Sequence, residues 1–229
     1  MAVSTIIVNS EGLRIPAGFA DLESFRQWAR SDDFPERGRI DYVSGEVDID
    51  ISPEDLTTHG TPKAAILFRF HGIVVEEMDA GIVVTDRTRL SSPVAALSVE
   101  PDVLVILDKS IRLGRVKLIP KADGRAGRYV EVEGAADVVV ECVSDSSVEK
   151  DTDKLVDLYH QAGIREYWVV DARGIEVDLT LYRWAPAGYV AVPPDGTGFR
   201  ASGVLGRSFR LVRRERGSGL AVYRLEERA

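Results

Sequence analysis

The chain has 229 residues, 45% hydrophobic and 29% charged, with 20 Gly and 10 Pro, the make-up of an ordinary globular protein, most simply one domain with decorations. No apolar run approaches the ~20 residues needed to cross a bilayer, the start lacks the basic-then-apolar pattern of a secretory leader, and the single cysteine, Cys142, excludes an internal disulfide, so the expected setting is the cytoplasm. The net charge of −8 is uneven: residues 109–128 hold seven Lys/Arg against Asp123 (+6) and residues 207–216 five Arg against Glu215 (+4), leaving −18 elsewhere, and such basic islands suit either a phosphate-binding surface or solvated loops.

In chain order, Leu22, Phe25 and Trp28 recur at helical spacing and predict a first helix over 21–30. Arg39–Val43 and Glu46–Ile51 flank Ser44-Gly45 and alternate apolar with acidic residues, which predicts a hairpin with one wet face. Ser52-Pro53 reads as a helix cap followed by Pro at the first position. The helix is expected over 60–78, with Ala64, Leu67, Phe68 and His71 along one face. Gly81–Thr85, Asp102–Leu107 and Asp137–Val143 read as strands, the last two apolar enough to be buried on both faces. The basic segment between them predicts a strand pair around Val116–Ile119 and Tyr129–Glu133. Ser144 to Ser147 is a cap-rich loop leading to a helix over 149–162 that Gly163 ends. Glu166–Val170 is a further buried strand, and Val177–Trp184, Tyr189–Pro193, Val204–Leu211 and Leu220–Leu225 are peripheral ones. Strands and helices in both halves place the chain in the α/β or α+β class around a mixed sheet. The expected division is an extension over 1–18, a core over 19–175, and a β-rich extension over 176–229 packed on the same domain.

Two carboxylates stand at informative places. Asp102 opens the run Val103–Leu107, and Glu141 sits near the end of Val138–Val143. An acid inside an apolar strand is costly to bury unless it is paired or holds a metal. If the strands are neighbours, the two acids can meet at one end of the sheet and seat Mg²⁺, which takes oxygen ligands and keeps several waters. Such a site suits attack of water on a phosphodiester. Backbone capping after Pro101 and a buried salt bridge are the alternative roles of Asp102 and Glu141.

Five segments carry a family resemblance: Tyr42-Val43-Ser44-Gly45-Glu46; Ser52-Pro53 with His59; Pro101-Asp102-Val103; Val140-Glu141-Cys142-Val143-Ser144; and Gly163-Ile164-Arg165-Glu166-Tyr167-Trp168-Val169-Val170-Asp171. In this order, over about residues 20–175, the chain resembles the Uma family of candidate restriction endonucleases, a bacterial group with a PD-(D/E)XK fold. The resemblance implies a restriction-endonuclease-like core, a mixed central sheet flanked by helices, and a Mg²⁺ site (Mn²⁺ acceptable) at Asp102 and Glu141. The nuclease motif has a lysine two residues after the glutamate, where this chain has Val143. The family resembles branches that move this lysine to the next helix, one turn beyond an aspartate. Asp151 matches that aspartate, Lys154 lies three residues on, Leu155 holds the position four residues on, and Lys150 is the fallback.

Asp41, a shorter stand-in for the usual glutamate, together with Glu46, His59 and Asp151, are the further cleft candidates. Lys121, Arg125 and Arg128 are the candidates for holding a nucleic-acid backbone, expected to be DNA. A homodimer is expected by analogy with nucleases that cut both strands. The competing expectation is a catalytically silent nuclease-fold protein that binds a protein or nucleic acid; the acidic net charge and Val143 favour it.

Overall fold

The structure is a computed structural model that describes residues 5–8, 13–16, 18–121 and 125–229. Two six-stranded mixed sheets form its body. The first runs in the order Glu46–Asp50, Arg39–Val43, Leu97–Val99, Arg89–Ser92, Tyr129–Gly134, Val116–Pro120. The second runs Gly188–Ala191, Asp178–Ala185, Glu166–Asp171, Val138–Cys142, Val103–Leu107, Gly81–Thr85. Each has one parallel pair, Arg89–Ser92 with Tyr129–Gly134 and Val138–Cys142 with Glu166–Asp171. A three-stranded antiparallel sheet, Arg200–Ser202, Arg207–Glu215 and Ala221–Arg228, closes the chain. Thr5–Val8 pairs with Leu13–Pro16 near the start; the rest of the expected 1–18 extension lies largely outside the described residues. The second sheet continues past residue 175 into Asp178–Ala185 and Gly188–Ala191.

The second sheet is buried on both faces, which is why its central strands read as unbroken apolar runs. Val103, Val105, Val138, Val140 and Cys142 point to a core shared with the helix Thr61–His71 and the C-terminal sheet. Leu104, Ile106, Val139 and Val143 point the other way, to a core shared with the first sheet and the helix Leu155–Gln161. By strict alternation, Asp102 and Glu141 face this second core. On the first sheet, Val43 joins it as well, while Ile40 and Tyr42 turn to Phe25 on the helix Leu22–Ala29. Arg39 and Asp41 are therefore aimed into the space between the two sheets.

The hairpin turn falls at Ser44 and Gly45, both at positive φ (52° and 92°) as a tight two-residue turn requires. Gly163, at φ 77°, ends the helix Leu155–Gln161 as expected. The second helix differs from its expectation in two respects. Its entry is capped by Asp55, whose carboxylate accepts the Thr57 and Thr58 amides, rather than by Ser52. Its buried face is Lys63, Ile66 and Phe70, continuing to Ile73 and Val74, whereas Phe68 is 80% exposed. The helix is apolar on more than one side, and the edge-to-face contacts of Phe70 with Trp168 and Phe209 decide which side is buried. The structure also contains short elements that the sequence analysis does not anticipate: the strands Arg89–Ser92 and Leu97–Val99, and the helix Asp108–Arg112.

Candidate active site

The strands bearing Asp102 and Glu141 are antiparallel neighbours, with Val103 opposite Val140. The next step of the ladder sets the two acids side by side on one face. Asp102 is 4% exposed; its Oδ2 accepts the Cys142 amide at 2.7 Å and lies 3.3 Å from His59 Nε2. Glu141 is fully buried; its Oε1 accepts the Tyr159 hydroxyl at 2.6 Å, and its Oε2 accepts the Asp102 amide at 3.4 Å and Arg39 Nη2 at 3.1 Å. Arg39 ties both sheets together: its Nε reaches Asp41 Oδ2 at 3.1 Å, and its Nη1 lies 3.8 Å from Asp102 Oδ1.

Asp41, buried, accepts the Glu100 amide at 3.0 Å and Lys150 Nζ at 3.2 Å. Lys150 also reaches Asp48 at 2.9 Å. Asp151, 1% exposed, accepts the Ser147 hydroxyl through Oδ2, while its buried Oδ1 has no hydrogen-bond partner among the described residues. His59 Nδ1 faces Glu54 at 2.9 Å, and Glu54 in turn pairs with Lys63 at 2.8 Å.

These surroundings separate the acids. Burial pushes Glu141 up to about 8, helped by the Asp102 and Asp151 charges and opposed by Arg39. Burial likewise raises Asp151 to about 6, against the Ser147 hydrogen bond and Arg39. Asp102 moves the other way: burial works to raise it, but His59, Arg39 and the Cys142 amide together hold it below the ordinary range. For His59 burial works downward, yet Asp102 and Glu54 lift it to about 9, so it is an imidazolium at neutral pH.

An open cleft of about 760 Å³ reaches this cluster, walled by Arg39, His59, Lys63, Glu100, Asp102 and Lys150. Glu141 lies behind Arg39 and Asp102 and does not line it.

Of the candidates read from sequence, the structure brings together Asp41, His59, Asp102, Glu141 and Asp151. Glu46 is exposed at the hairpin turn and stays outside. Lys154 is a correction: its side chain is 52% exposed and points to Glu149 at 3.6 Å, away from the carboxylates. The turn Lys150–Lys154 has the wide π-helical pitch, which puts Lys150 and Asp151 inward and hands the next inward place to fully buried Leu155. The fallback Lys150 is the lysine at the site. Lys121, Arg125 and Arg128 do not line the cleft. Their turn, of which residues 122–124 lie outside the described residues, joins two strands at the far edge of the first sheet from Glu46–Asp50. Sequence reasoning missed Arg39 and Tyr159. For Arg39 a signal was present, since a period of two puts it on the same strand face as Asp41.

Two acids from neighbouring strands, gathered with basic side chains at the open end of a mixed sheet, define a restriction-endonuclease-like core. Residues 22–223 match the sequence profile of the Uma2 family, whose description is "Putative restriction endonuclease", and the chain belongs to that family. A crystal structure from Anabaena variabilis, titled as a putative nuclease belonging to DUF820, superposes with a TM-score of 0.58 at 15% identity, covering 82% of this chain and 92% of that one. At that identity the likeness speaks for the fold. Among curated proteins nothing matches the chain.

Proposed function

We propose that this protein is a divalent-metal-dependent endonuclease that hydrolyses phosphodiester bonds of nucleic acid, with DNA as the substrate class, and that Asp102 and Glu141 hold the metal. The observation that carries the reading is the placement of these two acids side by side on one face, Asp102 in the wall of an open cleft and Glu141 directly behind it. The donor chemistry fits: both offer only oxygen, as Mg²⁺ prefers, with Mn²⁺ acceptable in its place. Among the described residues no three His, Cys, Asp or Glu side chains are spaced as a metal cluster, and two carboxylates completed by water are a common Mg²⁺ arrangement. The partnerless, buried Asp151 Oδ1 points the same way.

A metal bound there would activate water and neutralise charge on the phosphate. The chain's own groups supply the remainder. Lys150, rather than Lys154, places an ammonium at the cleft wall, where it can orient the attacking water against Asp41. His59 carries a proton at Nε2 on the same wall and can bind a phosphate oxygen or protonate the leaving oxygen. Lys121, Arg125 and Arg128 stay in this reading as outer backbone contacts. A homodimer, whose twofold axis suits a duplex, and a cytoplasmic setting complete it; among the described residues no helix is long and apolar enough to cross a membrane.

Cleavage of single- and double-stranded DNA and RNA with and without Mg²⁺, by the unmodified protein and Glu141→Gln, tests the proposal. Mg²⁺-dependent cleavage lost in the variant supports it. A second reading, a silent nuclease-fold binding protein, is favoured by Arg39, which already neutralises the carboxylates, and by Val143 and Leu155 at both customary lysine places. Absence of cleavage of all four substrates by the unmodified protein would decide for that reading.

A further inference from the structure

The second basic island, residues 207–216, has no part in the site described above. It belongs to the three-stranded C-terminal sheet, and residues 199–229 carry eight Arg against three Glu, +5 on a chain of −8. The inner face of that sheet is apolar: Phe209, Leu211 and Leu225 are buried in the core shared with Ile66 and Phe70. Alternation therefore turns Arg210, Arg214, Arg224 and Arg228 outward. The register pairs Ser208 with Arg228, Arg210 with Glu226, Val212 with Arg224, and Arg214 with Val222. Along the face the arginines thus come in the order Arg228, Arg210, Arg224, Arg214, alternating between the two strands. Each step is two residues, about 7 Å, the order of the interval between successive phosphates of an extended nucleic-acid strand. Arg210, Arg214 and Arg228 are 40%, 57% and 47% exposed, and Arg224 is exposed.

The ladder has a direction. At its Arg214 end, Arg213 Nη1 donates to the Gly174 and Ile175 carbonyls at 2.9 and 2.7 Å, next to Arg173 of the cleft wall. Opposite it, Tyr223 feels the charge of Asp55, another cleft residue. At the other end, Glu227 bonds to Arg69 in the last turn of the helix that leads away from His59, and Arg207 to Glu77 just past it. Two acids temper the face. Glu226 accepts from Arg210 at 2.6 Å and from Arg214 at 3.2 Å, and Asp195 pairs with Arg228. The Phe199 ring lies between Arg210 and Arg228, 4.6 Å from each guanidinium, and holds both in place.

We propose that this arginine ladder is a track for the phosphodiester backbone of one nucleic-acid strand running out of the cleft. The proposal rests on the nucleic-acid reading of the site but not on its catalysis. The cleft wall mixes acids with bases, whereas the outer sheet face is where phosphate finds regularly spaced guanidinium groups, which recognise it well.

The test is fluorescence anisotropy with a labelled oligonucleotide in EDTA, over a salt series, for the full chain, Arg214→Ala/Arg224→Ala and Glu226→Gln. The double variant should bind about tenfold more weakly and lower the log-affinity salt slope by about 1.4 for a single strand, two lost phosphate contacts. Glu226→Gln should bind a few-fold more tightly, a gain that misfolding cannot mimic. If the double variant and Glu226→Gln both bind as the unmodified protein does, the track is wrong while the cleft reading stands. No binding by the unmodified protein at low salt overturns the track, while the cleft reading is decided by the Mg²⁺ cleavage assay. Tighter binding of poly-glutamate than of the oligonucleotide would make the face an acidic-protein surface and overturn the track.

Discussion

The wall of the cleft and the buried layer behind it use the same side-chain chemistry to opposite ends. On the wall, Asp102 is held ionised by His59, Arg39 and a backbone amide. Directly across the ladder, in the buried layer, Glu141 is enclosed among Arg39, Tyr159 and further acids, and burial drives it towards the neutral form. Distance from solvent and the number of opposing charges, not residue type, make the difference. Two carboxyls whose surroundings push them apart are a common preparation for divided roles at a catalytic centre.

The largest expected effect lies in the buried layer. Glu141→Gln keeps the shape and removes the charge, and should lower Mg²⁺-dependent cleavage about 10²–10³-fold, or about 3–4 kcal/mol; an unchanged rate would place the chemistry elsewhere. Next is the guanidinium that joins the buried layer to the wall. Arg39→Gln leaves Glu141 without its ion pair and Asp41 with Lys150 alone, and should cost about 3 kcal/mol in EDTA. Because the guanidinium touches the same carboxylates as the proposed metal, Mn²⁺ should stabilise the variant more than the unmodified protein. Equal metal-induced shifts in denaturant midpoint would show that the two do not share the seat.

A smaller effect is expected on the wall. His59 is raised from 6.5 to about 9 by Asp102 and Glu54, against burial and Lys63. A raised base stabilises fully below its unfolded pKa, and the contribution is lost as pH rises through the folded one. Unfolding free energy should therefore fall by about 2 kcal/mol between pH 6.5 and 9 on account of His59. Glu141, raised from 4.5 to about 8, acts in the same direction over a lower window, so the difference between the unmodified protein and His59→Gln isolates the histidine. A variant with the same slope above pH 8 would refute the assignment. The smallest effect belongs to Lys154→Met, within about 0.5 kcal/mol in stability and unaltered in cleavage; any large loss of turnover would return this lysine to the site.

Much of the scaffold was legible in the chain. Val103–Leu107 and Val138–Cys142 were readable because both faces are buried, and the hairpin around Ser44-Gly45 because one face is wet. The strands Arg89–Ser92 and Leu97–Val99 were not. Their apolar residues Leu90, Leu97 and Val99 reach the core but stand in strands of only four and three residues, too short to show a period, and their polar neighbours are buried yet satisfied, Ser91 on Ser98 at 2.8 Å and Arg89 on Glu100 at 2.5 Å. The inward face of the second helix was misread for a related reason: Phe68 and Phe70 have equal hydrophobicity, and only the partners Trp168 and Phe209 tell them apart.

By itself the sequence determined the class of fold, the two central strands, and the pair of acids they carry, because periodicity and the cost of a charge in an apolar run are local properties. The tertiary structure alone decided which cations meet those acids. A one-residue change of pitch in the turn before Leu155 turned Lys154 to solvent and Lys150 inward. The packing of one sheet on the other brought Arg39 across to Glu141, from 102 residues away. Such contacts depend on register and pitch between distant segments, which no local pattern encodes.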